Sequence, residues 1–176
     1  MVESLAAREG IRIRSRESGA RVGRGSIGGT PVLLAIPQTY MNASGEAVHA
    51  LCQKNGIDPS RICVAYDEID LPLGVLRIRP RGSAAGHNGM RSIIGRLGTS
   101  DFPRLRVGVR GDRYSRQREL ADYVLEPFSR SEREMFEESV ERAVEVLRIW
   151  ITSGIEAAMR SAKAKPSSPG PASDPD

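Results

Sequence analysis

The sequence predicts an α/β protein, a single-domain three-layer fold in which a twisted mixed β-sheet is flanked by helices. Residues 31–36 and 61–66 are short apolar runs, typical of strands that are buried on both faces. Residues 43–55 between them carry apolar side chains at helical spacing and precede Gly56, a common helix terminator. This order of strand, helix and strand predicts that the two strands are neighbours in a parallel or mixed sheet.

Weaker patterns precede this unit. Residues 1–8 predict an amphipathic helix, although it has no N-terminal cap. Residues 11–17 and 20–27 alternate loosely between apolar and polar, and Gly28-Gly29 follows them, so we expect an edge hairpin or ribbon.

The second half continues the pattern. Residues 74–79 and 104–109 alternate apolar with basic side chains, as strands with one solvent-exposed face do. The segment 89–97 between them predicts a short helix, with Asn88 as its N-cap and Gly98 as its end.

The C-terminal part predicts a long helix and a tail. The helix begins near residues 131–134, which form a capping-box pattern, and its apolar stripe ends at Gly154. A second short helix is expected over 155–164. Residues 165–176 have no apolar side chain able to anchor them, so we expect a disordered tail after a domain spanning 1–164.

Charge and cysteine usage restrict the class of protein. The chain of 176 residues has a net charge of +4, with arginines clustered at 76–81 and 104–106. Such clusters suit a polyanion, although arginines at alternate strand positions also make an ordinary solvent-exposed face. Cys52 and Cys63 show no disulfide or zinc spacing, which favours a reducing cytoplasm. No apolar run is long enough to span a membrane, and no secretory signal opens the sequence.

Two segments, 38–45 and 86–89, place asparagines where a strand gives way to a helix, and an acidic cluster at 67–70 lies between them. Carboxamides donate and accept hydrogen bonds, so Asn42 and Asn88 could hold a polar substrate in one pose. A nearby carboxylate could orient a catalytic imidazole. The sequence therefore indicates a candidate active site.

Simpler interpretations stay open for each of these residues. Asn42 and Asn88 could cap helices, and the acidic cluster could bind Mg²⁺. His49 lies in the middle of a predicted helix and is expected to be a partly exposed helix residue. His87 adjoins Asn88, so it could act as the general base, although organising its loop is the preferred role.

The segments 39–45, 66–74 and 86–89 together resemble bacterial-type peptidyl-tRNA hydrolases, and the resemblance extends to about residue 164. It implies hydrolysis of the ester bond of peptidyl-tRNA by a histidine-activated water, with no metal or organic cofactor. It also implies a cytoplasmic, monomeric enzyme whose partner is the acceptor end and 5′ phosphate of the tRNA.

The resemblance also implies roles for individual residues. Asp67 would orient the catalytic histidine, and Arg79 and Arg106 would hold the 5′ phosphate of the tRNA. The residues implied to bind the peptidyl-ribose end or shape its loop are Tyr40, Met41, Asn42, Gly86, His87 and Asn88.

One part of the family pattern is missing. The family opens with an apolar strand inside the sheet, a Gly-x-x-Asn-Pro-Gly turn and an Arg-His-Asn segment that supplies the catalytic histidine, and none of these occurs here. We therefore expect an N-terminally truncated chain whose true start, and whose histidine, lie upstream of Met1. The alternative is a non-catalytic RNA-binding protein that has lost the histidine.

Overall fold

The six strands of the computed structural model, which describes residues 1–111 and 128–164, form two three-stranded sheets. The first sheet is antiparallel with the order β1-β2-β3. The second has the order β4-β6-β5, in which β6 runs parallel to β4 and antiparallel to β5. The strands are β1 (Ser15–Glu17), β2 (Ala20–Ile27), β3 (Thr30–Pro37), β4 (Val64–Pro72), β5 (Leu76–Arg79) and β6 (Arg104–Arg110).

Helices cover both sides of the sheets. The helices are α1 (Val2–Arg8), α2 (Ser44–Asn55), α3 (Asn88–Leu97) and α4 (Arg130–Lys163), with 3₁₀ turns at Met41–Ala43 and Pro59–Arg61. The main core joins α1 and α4 to one side of both sheets, while α2 packs on β2 and α3 on β4. This arrangement confirms the predicted three-layer α/β fold. None of the described helices is long and apolar enough to cross a bilayer.

Several predicted ends are confirmed. Gly56 and Gly98 end α2 and α3 in the left-handed conformation, with φ of 59° and 70°. Gly154, at φ 83°, interrupts α4 where the sequence indicated a break between two helices. The capping box lies two residues earlier than expected, because Ser129 and Glu132 form it. The predicted tail lies outside the described residues.

The predicted neighbours β3 and β4 are not paired with each other. β3 pairs with β2, and β4 pairs with β6, with Tyr66 opposite Arg106. A cavity of about 880 Å³ separates the two strands and is lined by apolar side chains of β3, α2 and α4, among them Leu34, Leu51 and Trp150. The order of elements along a chain does not fix the order of strands in a sheet, so the prediction was wrong at this point.

Two further corrections concern the candidate site. β4 continues through the acidic cluster to Pro72, whereas the sequence indicated a strand that ends at Tyr66. The N-cap of α3 is His87 and not Asn88, because the His87 side chain accepts the backbone N–H of Met90. Imidazole and carboxamide both accept a backbone donor, so the sequence alone did not distinguish the two residues.

Candidate functional site

The candidate site lies where the 3₁₀ turn Met41–Ala43 meets the first turn of α3, at one end of the cavity. The side chains of Met41, Asp67 and His87 line this end. A Cβ atom on Gly89 would lie only 2.6 Å from Met41 Sδ, so the missing side chain at Gly89 lets the two elements approach. The structure thus brings together residues from three separate sequence motifs.

His87 connects the acidic strand to α3. Its Nε2 lies 3.7 Å from Asp67 Oδ1, and its Nδ1 accepts the Met90 N–H at 3.1 Å. The ring also packs against Tyr66, with the two centroids 4.7 Å apart. Because Nδ1 is an acceptor, the neutral ring carries its proton on Nε2, which faces the carboxylate.

The electrostatics of Asp67 follow from this contact. The imidazole of His87 holds the pKa of the Asp67 carboxyl below its ordinary value, although partial burial acts in the opposite direction. Asp67 is therefore ionised at neutral pH and can accept a hydrogen bond from a ring N–H. This is the property required of a carboxylate that orients an imidazole.

Neither histidine of the chain is placed to act as the general base. A base needs a ring nitrogen whose lone pair is free, and the lone pair of His87 is directed to Met90. His49 lies within α2 and is not among the residues that line the cavity. In the described arrangement His87 organises its loop, which was the preferred interpretation of the sequence.

The residues of the first motif project from the protein surface. Tyr40 is 88% exposed and Met41 is 56% exposed, and Asn42 is exposed as well. The Ser44 hydroxyl donates to the Met41 carbonyl at 2.9 Å and so closes the 3₁₀ turn beneath them. Large exposed side chains beside a polar carboxamide form a surface that a ligand could cover.

The second motif reaches the site through a strained loop. Ala85 and Gly86 both have positive φ, 45° and 84°, and the His87 N–H donates to the Ala84 carbonyl at 2.9 Å. Gly86 tolerates this conformation because it has no Cβ. The turn leads directly into α3, where Asn88 is the exposed first residue.

The structure adds Arg91 to the candidate residues. Its guanidinium donates to Asn88 Oδ1 at 3.3 Å, which occupies the oxygen of the carboxamide. The nitrogen of Asn88 is then the group that can donate to a ligand. The spacing of three residues on a helix was the signal that would have identified Arg91 in the sequence.

Arg79 and Arg106 share a face of the second sheet but differ in environment. Arg106 lies opposite Arg77, and Arg79 lies two residues further along β5, so their side chains point to the same side. Arg106 Nη1 lies 3.5 Å from Oε2 of Glu68, a residue that is only 4% exposed. Arg79 contacts only the Ile78 carbonyl through its guanidinium in the described residues, at 3.3 Å.

The acidic cluster does not converge on one point. Successive side chains of β4 alternate between faces, so Asp67 meets His87 while Glu68 meets Arg106. Asp70 is exposed, and its N–H donates to Glu68 Oε1 at 3.3 Å. Across residues 1–111 and 128–164, no three histidine, cysteine, aspartate or glutamate side chains come close enough to hold a metal ion.

Comparisons with known proteins point to one family. The family model described as Peptidyl-tRNA hydrolase matches residues 1–169. The chain is 46% identical to the peptidyl-tRNA hydrolase of Chloroflexus aggregans over 159 residues, 90% of this chain and 84% of the relative. It is 45% identical to that of Roseiflexus castenholzii over 170 residues, 96% of this chain and 78% of the relative.

Solved structures give the same result. A crystal structure of a peptidyl-tRNA hydrolase with N-propanol superposes with a TM-score of 0.86 and 32% identity, covering 94% of this chain and 84% of that one. The enzyme of Acinetobacter baumannii gives a TM-score of 0.85 and 32% identity, covering 93% and 82%. The family match begins at residue 1, so it does not support the expected truncation before Met1. The chain belongs to the peptidyl-tRNA hydrolase family.

Proposed function

We propose that this chain hydrolyses the ester bond of peptidyl-tRNA, releasing the peptide and the tRNA, at the cleft between the 3₁₀ turn Met41–Ala43 and α3. The observation that carries this site is the pair of Asp67 and His87, which lines the cavity together with Met41. The 3₁₀ turn Met41–Ala43 and α3, which pack against each other here, each carry an exposed carboxamide, Asn42 and Asn88.

The two asparagines position the reacting ester. Arg91 holds the oxygen of the Asn88 carboxamide. The N–H groups of Asn88 are therefore oriented to donate to the carbonyl oxygen of the ester or to the attacking water. A donor fixed before the reaction stabilises the developing oxyanion without reorganising. Asn42, with the exposed Tyr40 and Met41 directly before it in the chain, binds the terminal ribose and the residue attached to it.

Asp67 orients the catalytic imidazole that activates water. Its pKa is lowered, so at neutral pH it is an anion that favours the ring tautomer with a proton toward the carboxylate and a free lone pair on the far side. His87, whose lone pair is used by Met90, and His49 do not supply that imidazole, so the test below adds it from solution. His87 instead joins the loop to Asp67, and Gly86 permits the turn that places it there.

Arg79 contacts the 5′ phosphate of the tRNA acceptor end, and Arg106 on the same face of the sheet adds positive charge there. The planar guanidinium suits a phosphate, and Arg79 forms no ion pair within the described residues. Arg106 is held by Glu68, so it contributes mainly to the local potential. We further propose that the chain works as a monomer in the cytoplasm, a compartment that its two free cysteines suit.

The test is hydrolysis of N-acetyl-aminoacyl-tRNA by this chain, with and without added imidazole, alongside Asp67→Ala and Asn88→Ala. Free imidazole is small enough to enter the cavity beside Asp67 and to serve as the base that neither histidine of the chain supplies. We expect hydrolysis in the presence of imidazole that depends on both Asp67 and Asn88, and a stimulation by imidazole that Asp67→Ala abolishes.

Other outcomes would contradict the proposal. Hydrolysis that is unaffected by Asp67→Ala would place the chemistry elsewhere. Tight binding of the tRNA without hydrolysis under either condition would favour a non-catalytic RNA-binding protein. EDTA should leave the rate unchanged, and a loss of activity would instead favour a metal-dependent hydrolase.

A further inference from the structure

Arg104 is the largest fully buried side chain in the described part of the chain, with no exposed surface. It opens β6 and forms no ion pair with any described carboxylate. Burial of the charged guanidinium lowers its pKa. A buried charge of this kind persists only where hydrogen bonds replace its lost hydration.

Backbone carbonyls supply those hydrogen bonds. The guanidinium donates to the carbonyls of Gly82 and Ser83, the latter at 3.0 Å, and to the Ser100 carbonyl at 2.7 Å. Its Nε donates to the Phe102 carbonyl at 3.4 Å, and its Cζ lies 4.5 Å from the Phe102 ring centroid. One side chain therefore ties two separate loops together.

The first of these loops carries the candidate site. Residues 80–87 connect β5 to α3, and the Gly82 N–H donates to the Ser100 carbonyl at 3.4 Å. The loop then passes through the left-handed Ala85 and Gly86 to His87. Positive φ at a non-glycine residue is unfavourable, so the surrounding contacts must hold the loop in this shape.

We propose that Arg104 is a positioning residue, which fixes the 80–87 loop so that His87 and Asn88 are presented to Asp67. Arg104 does not touch the substrate in this proposal. Its planar guanidinium donates from Nη1 to the Gly82 and Ser83 carbonyls and from Nη2 to the Ser100 carbonyl, a fixed spread of donors that the compact ammonium group of a lysine does not have. The proposal rests on the function proposed above, because it assigns the loop to that site.

The alternative is that Arg104 only fills space in the core. The contact between His87 and Asp67 distinguishes the positioning role from the space-filling role. A general loss of packing would leave that contact intact in the folded protein, whereas a loss of positioning would weaken it. Val144 provides the control, since it is 1% exposed in α4 and belongs to the core on the other side of the sheets. Val144→Ala should lower the stability without touching the loop.

The first measurement is the NMR spectrum of the His87 ring in the full chain without tRNA, at one fixed pH. In the parent protein and in Val144→Ala, Asp67→Asn should change the chemical shifts of the His87 ring protons, because Asp67 Oδ1 lies 3.7 Å from Nε2. In Arg104→Met this effect of Asp67→Asn should fall by at least half, and Arg104→Lys should not restore it. His87→Gln assigns the resonance. An unchanged effect in Arg104→Met, or an equal loss in Val144→Ala, would overturn the proposal.

The second measurement is amide exchange at a temperature at which circular dichroism shows every variant to be folded. The N–H groups of Gly82 and His87 should exchange at least tenfold faster in Arg104→Met than in Val144→Ala. Equal exchange in the two variants would also overturn the proposal. Both measurements are independent of hydrolysis, so a chain that binds tRNA without cleaving it would refute the proposed function and leave this inference to be decided on its own data.

Discussion

Nε2 of His87 lies 3.7 Å from Oδ1 of Asp67, while Nδ1 of the same ring caps α3 through the N–H of Met90. The imidazole is therefore shared between the acidic strand and the helix that carries Asn88. A change in the charge of Asp67 should therefore affect the first turn of α3 through His87, and experiments on the pair can detect this effect.

We predict that Asp67 contributes stability that is lost in acid. Its pKa in the folded state lies below the ordinary value of 3.8, so the contribution is present above that value and disappears as the pH falls through the folded pKa. The side chain is 42% exposed, which limits the effect to below about 1 kcal/mol. Urea unfolding between pH 7 and pH 3 should show a smaller loss of unfolding free energy for Asp67→Asn than for the parent protein. An equal loss in the two proteins would contradict the role assigned to Asp67.

We predict opposite phenotypes for the two arginines of the phosphate surface. Arg106→Met leaves Glu68 buried without its cation, so it should cost about 3 kcal/mol of unfolding free energy. Arg79→Met removes a partly exposed group and should change stability by less than about 0.5 kcal/mol. It should, however, abolish the preference for tRNA with a 5′ phosphate over tRNA without one.

A double variant checks the explanation for Arg106. Glu68→Gln combined with Arg106→Met removes both charges, so it should recover part of the stability that Arg106→Met loses. If Arg79→Met keeps the full preference for 5′-phosphorylated tRNA in a binding assay, the phosphate lies elsewhere on the protein.

We predict that Gly45→Ala is strongly destabilising because α2 and α3 touch there. A Cβ at Gly45 would lie 2.2 Å from the Ser92 carbonyl oxygen, and the Gly45 N–H donates to Ser92 Oγ at 3.0 Å. Relieving the clash requires the helices to separate, at a cost of roughly 3 kcal/mol. Gly95→Ala is the matched control, because nothing lies within 4 Å of its Cβ position, and it should stabilise α3 by about 0.5–1 kcal/mol. Thermal unfolding of the two variants should therefore move in opposite directions.

We predict that Gly89→Ala affects the site more than the fold. Its Cβ would lie 2.6 Å from Met41 Sδ and 3.0 Å from His87 Cε1. The methionine end is flexible and can move, so the loss of stability should stay below about 1.5 kcal/mol while substrate binding weakens. Adding Met41→Ala should then restore the position of His87, as judged by its NMR signal. No improvement in the double variant would mean that the contact with His87 itself is the obstacle.

The sequence predicted the local features well because short-range chemistry determines them. Gly56 and Gly98 end helices since glycine enters the left-handed region at low cost, and the motif residues Asn42 and Asn88 do lie at element ends. The contacts that give the site its electrostatics were not predictable. Glu68 meets Arg106 only because β4 and β6 pair in one particular parallel register, which places Tyr66 opposite Arg106.

The sequence also could not reveal the roles of Arg104 and His87. Arginines 104 and 106 look alike in the sequence, yet one is fully buried on carbonyls and the other pairs with an acid. Likewise, which of His87 and Asn88 caps α3 depends on the turn at Gly86 rather than on residue type. Environment, more than identity, separates structural from functional residues in this chain.

We predict that Cys63 is unreactive in the folded protein. It borders the cavity, but its thiol packs in the main core, and burial raises the pKa of this thiol to about 12. At pH 8 the reactive thiolate is then roughly 10⁻⁴ of the total. In a Cys52→Ser variant, a disulfide reagent such as DTNB should therefore titrate one thiol in urea and essentially none in buffer. Reaction within seconds in buffer would show that water reaches the cavity freely, because only hydration of the thiolate could lower that pKa without a new positive charge nearby.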